Sequence, residues 1–408
     1  MVKDILLNKN KQHSRREKTL DNKVCKDNIL FIESGTNNGG SIESLYLHLK
    51  HSKKHNFNPI VVLLNETDYI DKFLQIDINV IKLKDTIYTS NRYVTLGKIL
   101  SRIELIIGLY FNRLRVLTHR IFHHLLINKL KEIVDEKNIK LIYLNVNVNR
   151  DLFGVILSKM TGVKCVSHLR SIQSSGFNKW TATFANSNVS YFIANSQKVK
   201  EYWISNGLLE HKILVIYNGI PRLYNKSINL HEMYFLERGC LIIGSVGRLI
   251  EWKRHDFLID TFNTLLDEFD NIVLFIVGGG PKMVDLKLKV DKYNIQNKVI
   301  FTGKINNAKD FIKSFDILVL PSINEPFGRV IIEAMELGTA VIGSNSGGVP
   351  EIIYNAKNGY LFTPDDKSDL LSKMRNLILN PSLRERFSII GMRSVRTKFS
   401  LDNYVKDL

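Results

Sequence analysis

Short apolar runs without polar alternation, each followed by a stretch of helical period, constrain this chain more than any other feature. In the first half they are Ile29–Ile32, Ile60–Leu64, Leu141–Leu144, Val163–Val166, Tyr191–Ala194 and Ile213–Ile216. A strand with one wet face alternates, whereas an unbroken run is apolar on both faces and belongs in a parallel sheet with helical crossovers. After a polar stretch at 221–239 the pattern restarts with Leu241–Val246, Ile272–Val277, Val299–Phe301, Ile317–Leu320 and Ala340–Ile342. Between the first two of these, Leu258, Phe262, Leu265, Leu266 and Phe269 recur at spacings of three and four, as in an amphipathic helix. A chain of 408 residues exceeds what one core organises, so the expectation is two parallel α/β domains of similar size.

Charge narrows the partners without choosing one. Lys and Arg number 57 against 40 Asp and Glu, and the net +17 attracts phosphates, anionic lipid or nucleic acid. The three cysteines, Cys25, Cys165 and Cys240, are odd in number and far apart, which points to a reducing compartment. Residues 1–27 mix Lys and Arg with Asn and acids and have no apolar core, so they read as a mobile basic leader and not a signal peptide. The segment 93–131 is basic and helical in period: Arg92 to Lys131 holds eight Lys or Arg against one acid, Glu104, a local charge of +7. It suits either helices packed on the sheet with a solvated basic face or a surface that sits on anionic membrane.

Two acids stand out against that background. In Asn324-Glu-Pro-Phe-Gly-Arg-Val-Ile-Ile-Glu333, Glu325 follows the expected strand Ile317–Leu320, and Glu333 falls one turn inside the helix that should start after Gly328. The first amides of that helix, Phe327 to Val330, have no intrahelical acceptor and suit an anion. By itself the pair is compatible with two solvated acids near a helix N-terminus. Upstream, Gly247-Arg248 to Lys253 follows Leu241–Val246 at the carboxyl edge of the sheet, where open parallel sheets bind ligands. Arg248 and Lys253 are suited to a diphosphate there, or are simply solvated. Gly278-Gly-Gly-Pro281 and Ser346-Gly-Gly-Val-Pro-Glu351 end other strands and permit close approach of backbone to a ligand.

Taken in order and spacing, Gly247-Arg248 with Lys253, Val277 to Pro281, Phe301-Thr-Gly303, Pro321 to Glu333 and Gly347 to Glu351 resemble family 4 retaining glycosyltransferases. Ser34 to Gly40 resembles that family's glycine loop, and Asn195-Ser196 and Asn218 to Ile220 resemble its later turns. The resemblance runs from about Asn28 to the end of the chain. It implies the GT-B fold: two Rossmann-like domains facing a cleft, with a last helix crossing back to the first. The corresponding division is a leader 1–27, an acceptor domain 28–225, a nucleotide-sugar domain 226–390 and a terminal helix 391–408.

The resemblance also implies roles. Arg248 and Lys253 would neutralise the diphosphate of a nucleotide sugar, and Glu333 would hold the ribose hydroxyls. Glu325 would contact the donor sugar, with the amides of Phe327, Gly328 and Arg329 on sugar hydroxyls or phosphate. Gly39 and Gly40 would close over the diphosphate, the base would rest on backbone near Gly303 and Lys304, and His168 would touch the sugar. Arg170 stands where family members carry an acid and has no assigned role. Retention by same-face attack, with Glu325 in a binding and electrostatic role, is the route implied; a carboxylate nucleophile is the alternative.

No Asp-x-Asp pair exists in the chain, so neither metal nor cofactor is expected. The expected activity is hexosyl transfer to a saccharide or lipid-linked saccharide in bacterial capsule, exopolysaccharide or lipopolysaccharide assembly, in the cytoplasm or on the inner face of its membrane. An epimerase or sugar phosphorylase on the same fold is the near alternative. Nucleic-acid binding lacks a motif, because the aromatics do not interleave with basic residues.

Overall fold

The computed structural model describes residues 26–35, 39–52, 57–83, 115–173, 175–224 and 228–408. The leader up to residue 25 and most of 93–131 therefore lie outside the described residues. The chain divides into two compact units: the first runs to Tyr217 and also takes in Tyr404–Leu408, and the second is Asn218–Asn403.

The first unit has strands β1 (Asp27–Glu33), β2 (Phe57–Leu63), β3 (Asn79–Lys82), β4 (Ile139–Leu144), β5 (Lys164–Leu169), β6 (Tyr191–Ala194) and β7 (Ile213–Val215). Among the described residues they form one sheet in the order β3-β2-β1-β4-β5-β6-β7, parallel throughout. Its helices are α1 (Gly40–His51), α2 (Tyr69–Leu74), α3 (Arg115–Phe122), α4 (His124–Glu136), α5 (Leu152–Thr161), α6 (Lys179–Asn188) and α7 (Gln197–Ser205). Leu30, Ile32, Ile142, Leu144 and Cys165 pack on Leu130, Leu152, Ile156 and Trp203 to make a core on one face of the sheet. The other face carries Phe31, Tyr143 and His168. Every expected run is a strand; β3 was not expected, because an edge strand reading Asn-Val-Ile-Lys has only two apolar residues.

The second unit repeats the plan with β8 (Leu241–Val246), β9 (Ile272–Val277), β10 (Val299–Gly303), β11 (Ile317–Leu320), β12 (Ala340–Ser344) and β13 (Tyr360–Phe362). The order is β10-β9-β8-β11-β12-β13, again parallel. Helices α8 (Leu230–Met233), α9 (His255–Leu265), α10 (Met283–Lys292), α11 (Ala308–Ile312), α12 (Arg329–Glu336), α13 (Lys367–Leu379) and α14 (Pro381–Lys398) accompany it, and α15 (Leu401–Asp407) ends the chain. In each sheet the order reverses beside the first strand, between β1 and β4 and between β8 and β11. Crevices for ligands open at such reversals, at the carboxyl ends of the strands.

The chain's end differs from the single helix expected over 391–408. α14 begins at Pro381 and stops at Lys398 because the Ile220 amide donates to the Phe399 carbonyl (3.0 Å) and the Leu401 amide donates to the Ile220 carbonyl (2.9 Å). Backbone groups that would continue the helix are thus spent on Ile220. The same pairing joins residues 218–224 to the second unit, so the division falls at 217/218 and not at 225/226. From Tyr404 the chain belongs to the first unit, where the Tyr404 ring meets His48 edge-on and its hydroxyl accepts from Arg170 Nη2 (3.3 Å).

Candidate active site

In the second unit, the carboxyl ends of β8, β9, β10 and β11 bring most of the expected residues together. The Gly278 amide donates to the Gly303 carbonyl and the Gly247 amide to the Val277 carbonyl, each at 3.0 Å, which draws the three loops side by side. A side chain at Gly278 would lie 1.9 Å from the Gly247 carbonyl oxygen, at a φ of +139°. Only glycine fits there. Lys304 follows on the same edge, against Gly279.

Lys253 and Glu325 form an ion pair, Nζ to Oε2 at 2.5 Å, with both side chains largely buried. The Lys253 ammonium also lies 4.4 Å from the centre of the Trp252 ring. The Ile323 amide donates to the Trp252 carbonyl (2.9 Å), so the loops after β8 and β11 are tied through backbone as well as charge. Arg248 is exposed and makes none of these ion pairs. Where glycine would be the low-cost choice, Arg254 adopts a left-handed conformation at φ +54°. Its guanidinium is held by Asp365 and Asp256 and lies over the Phe257 ring.

Glu325 is fixed through its main chain. Its carbonyl accepts from the Gly348 amide (2.7 Å), and the preceding Asn324 takes φ +55° while its amide donates to Ser346 Oγ (2.8 Å). After Phe327, whose buried ring packs on Phe399, Gly328 takes φ +97° and caps α12. No side chain caps the amides at that terminus. One turn on, Glu333 Oε1 accepts from Arg329 Nε (3.0 Å) and lies 3.8 Å from Lys309 Nζ. Lys309, from α11, was not anticipated. Ile331, Ile332 and Met335 of α12 are buried, and Glu333 is largely buried with them.

The remaining expected residues, Gly39, Gly40 and His168, sit in the first unit. Gly39 precedes α1 and Gly40 opens it, both exposed at the carboxyl end of β1. His168 is wholly buried on β5; its Nδ1 lies 2.8 Å from the Tyr143 hydroxyl, and its Nε2 has no hydrogen-bond partner. Burial, then the Arg170 and His48 charges, push its pKa well below the ordinary imidazole value, so the ring is neutral.

Two buried acids beside the sheet reversal were missed from sequence. Glu33, the last residue of β1, accepts from the Gly35 amide (2.7 Å) and Ser41 Oγ (3.2 Å) on Oε1 and from Asn145 Nδ2 on Oε2. Asp151 accepts from Ser34 Oγ and from the amides of Val146 and Asn147 (3.2 Å each). Burial raises the Glu33 carboxyl and lifts Asp151 to about 7, against hydrogen bonds that favour the charged forms. Both are surrounded by donors: Glu33 ties Gly35 and Ser41 to the end of β1, and Asp151 ties down the loop after β4. Arg170 gains a role too: Nε donates to the Asn145 carbonyl (2.8 Å) and Nη2 to Asn145 Oδ1 (3.1 Å) and Tyr404. A lone Glu or Asp at a strand end carries no sequence signal that its neighbours will be donors. Among the described residues no group of three or more His, Cys, Asp or Glu could hold a metal ion.

Residues 231–393 match the family model described as glycosyl transferases group 1. The chain is 31% identical over 207 residues to MJ1607 of Methanocaldococcus jannaschii, an uncharacterized glycosyltransferase, covering 48% of this chain and 53% of the relative. It is 23% identical over 317 residues to N-acetyl-alpha-D-glucosaminyl L-malate synthase of Bacillus anthracis, covering 73% and 82%. To the capsular polysaccharide biosynthesis glycosyltransferase CapM of Staphylococcus aureus it is 26% identical over 211 residues, covering 50% and 52%. The chain thus spans about half the length of MJ1607 and CapM. Among solved structures, Anabaena Alr3699/HepE in complex with UDP and glucose superposes with a TM-score of 0.75 at 21% identity, covering 93% of this chain and 98% of that one. That likeness concerns the fold, two successive Rossmann-like units of the GT-B class. The second unit matches the glycosyl transferases group 1 family over residues 231–393.

Proposed function

We propose that this chain is a retaining, metal-independent glycosyltransferase that moves a hexose from a nucleoside diphosphate sugar to a saccharide or lipid-linked saccharide in surface polysaccharide assembly. The observation that carries the reading is the Lys253–Glu325 pair beside the uncapped start of α12, with Glu333 one turn behind it. Cleaving an anomeric carbon–phosphate bond leaves negative charge on the departing diphosphate. Lys253, Arg248 and the α12 amides supply fixed positive charge and donors for it. Glu325, bound to that same lysine, lies where a sugar attached to the diphosphate would extend. Glu333 accepts two hydrogen bonds from ribose, His168 touches the sugar, and Gly39 and Gly40 cover the phosphates. The base rests on backbone at Gly303 and Lys304. The departing phosphate takes the acceptor's proton as the new bond forms on the same face. CapM acts in capsular polysaccharide biosynthesis, and HepE was solved with UDP and glucose; both support the donor class and the setting.

A lipid-linked acceptor fits α3 and α4, where Leu117, Ile121 and Leu125 are exposed on the same segment as Arg120. Among the described residues no helix is long and apolar enough to cross a membrane. The deciding experiment incubates the purified chain with radiolabelled UDP, GDP and ADP sugars and membrane extract, with and without EDTA. Label in a saccharide or lipid fraction of retained anomeric configuration, undiminished by EDTA, is expected. Isomerised or phosphorolysed sugar, an inverted product, or activity restored only by added magnesium or manganese refutes the corresponding part. Anionic liposomes at low salt should retain the chain, and neutralising Arg113, Arg115 and Arg120 should release it.

A further inference from the structure

We propose that Tyr143 is a positioning residue that fixes the His168 ring with its single proton on Nε2, so that the site offers a hydrogen-bond donor there and accepts only an oxygen that can receive it. The inference rests on the reading of His168 as a donor-sugar contact, and it concerns which tautomer makes that contact.

Tyr143 on β4 and His168 on β5 are buried neighbours whose hydroxyl and Nδ1 are 2.8 Å apart. The phenol ring packs on Phe31, with ring centres 5.1 Å apart, which holds its oxygen in place beside Nδ1. One proton lies between these two atoms, and it belongs either to the phenol or to Nδ1. If Nδ1 donates, the phenol's own O–H has no described acceptor and Nε2 is a bare acceptor without a hydrogen-bond partner, which leaves two buried groups unsatisfied. If the phenol donates, both Tyr143 and Nδ1 are satisfied and only Nε2–H remains. Leaving an additional buried group unpaired is costly, so the second arrangement wins. The phenol is suited to donating, since burial holds its pKa well above the ordinary value and keeps the proton on oxygen. The doubly protonated ring is disfavoured by burial and by the Arg170 charge. The hydrogen bond made at one ring nitrogen thereby sets what the other can do. Nε2–H meets a hydroxyl or carbonyl oxygen well and an ammonium group not at all.

The test is nitrogen-15 NMR of the full chain labelled at histidine, using two-bond correlations to read which ring nitrogen carries hydrogen. The His168 signal is identified by its loss in His168→Asn. The expected result is a neutral ring protonated at Nε2 in the wild type. In Tyr143→Phe, which conserves volume, the expected ring populates the Nδ1-protonated form as well. Transfer at saturating nucleotide sugar should then fall roughly tenfold while affinity for the free nucleotide stays unchanged. A wild-type ring protonated at Nδ1, or a tautomer indifferent to Tyr143→Phe, overturns the proposal, and the wild-type measurement does so without any variant. An Nδ1-protonated ring in a chain that transfers sugar sinks this inference alone. An Nε2-protonated ring in a chain that transfers no sugar sinks the functional reading and the catalytic meaning of the tautomer.

Discussion

Replacing Gly347 by alanine should disable the site through the backbone of Glu325. Gly347 takes φ +64°, and a methyl group there would lie 2.1 Å from the Glu325 carbonyl oxygen and 2.6 Å from its amide nitrogen. Carbon and oxygen settle at about 3.3 Å, so one of the two strands of backbone must move by about 1 Å. The left-handed conformation alone costs an alanine about 1–2 kcal/mol, and forcing atoms into a packed region adds about 1–3 kcal/mol. The second unit should therefore lose about 2–5 kcal/mol in urea denaturation, and transfer should fall by about 100-fold, the usual consequence of a 1 Å misplacement. Gly239→Ala separates the two contributions: its φ is +77°, and the nearest atom to a new methyl is 3.9 Å away. That variant should lose only the conformational cost, about 1–2 kcal/mol, and keep full transfer. If Gly347→Ala keeps wild-type turnover, or loses no more stability than Gly239→Ala, then the contact with Glu325 is not what holds that carboxylate in place.

Other outcomes follow from the same geometry. Glu325→Gln should slow transfer more than it weakens nucleotide binding, whereas Glu333→Gln should mainly raise the donor's KM; steady-state kinetics with nucleotide titration would expose a reversed pattern. His255 is buried at the start of α9 with no partner on Nδ1, and burial and then Lys253 lower its pKa to about 4. Since the unfolded chain takes up that proton first as pH falls from about 6.5, stability is fully present above that value and drains away toward the folded pKa. Between pH 7 and pH 4.5 the ring should cost the second unit about 2–3 kcal/mol, and His255→Leu should flatten that part of the urea-denaturation pH profile. A profile unchanged by the substitution would place the acid sensitivity elsewhere.

The periodicity of the sequence was enough to find the long buried strands, because a strand covered on both faces leaves an unbroken apolar run. It did not find β3, an exposed edge strand with two apolar residues, or β13, an edge strand of only three residues whose buried Tyr360 and Phe362 make too short a run to stand out. In the site, Lys253, Glu325, Arg329 and Glu333 were legible because they sit in loops and a helix start bounded by glycines and proline. Glu33, Asp151, Tyr143 and Lys309 were not. Their significance lies in what faces them across the fold: Glu33 is read from Asn145, more than a hundred residues away, and Tyr143 from His168. Arg170, opaque in sequence, is explained once Asn145 and Tyr404 are seen at its guanidinium. The helix break at Phe399–Ser400 depended likewise on Ile220, a partner no local pattern names.

That Tyr404 belongs to the first unit has a temporal consequence. The first unit is assembled from both sides of the second, so its last ring arrives only after the whole intervening stretch has been translated. Domains fold as units from the N-terminus as the ribosome emits them. Here the first can form its sheet early, but Arg170 and the His48 ring wait for Tyr404 until that residue has left the ribosome. Ribosome-stalled chains ending before residue 401 should therefore carry a protease-sensitive first unit, and stalls with all of α15 outside the exit tunnel should protect it.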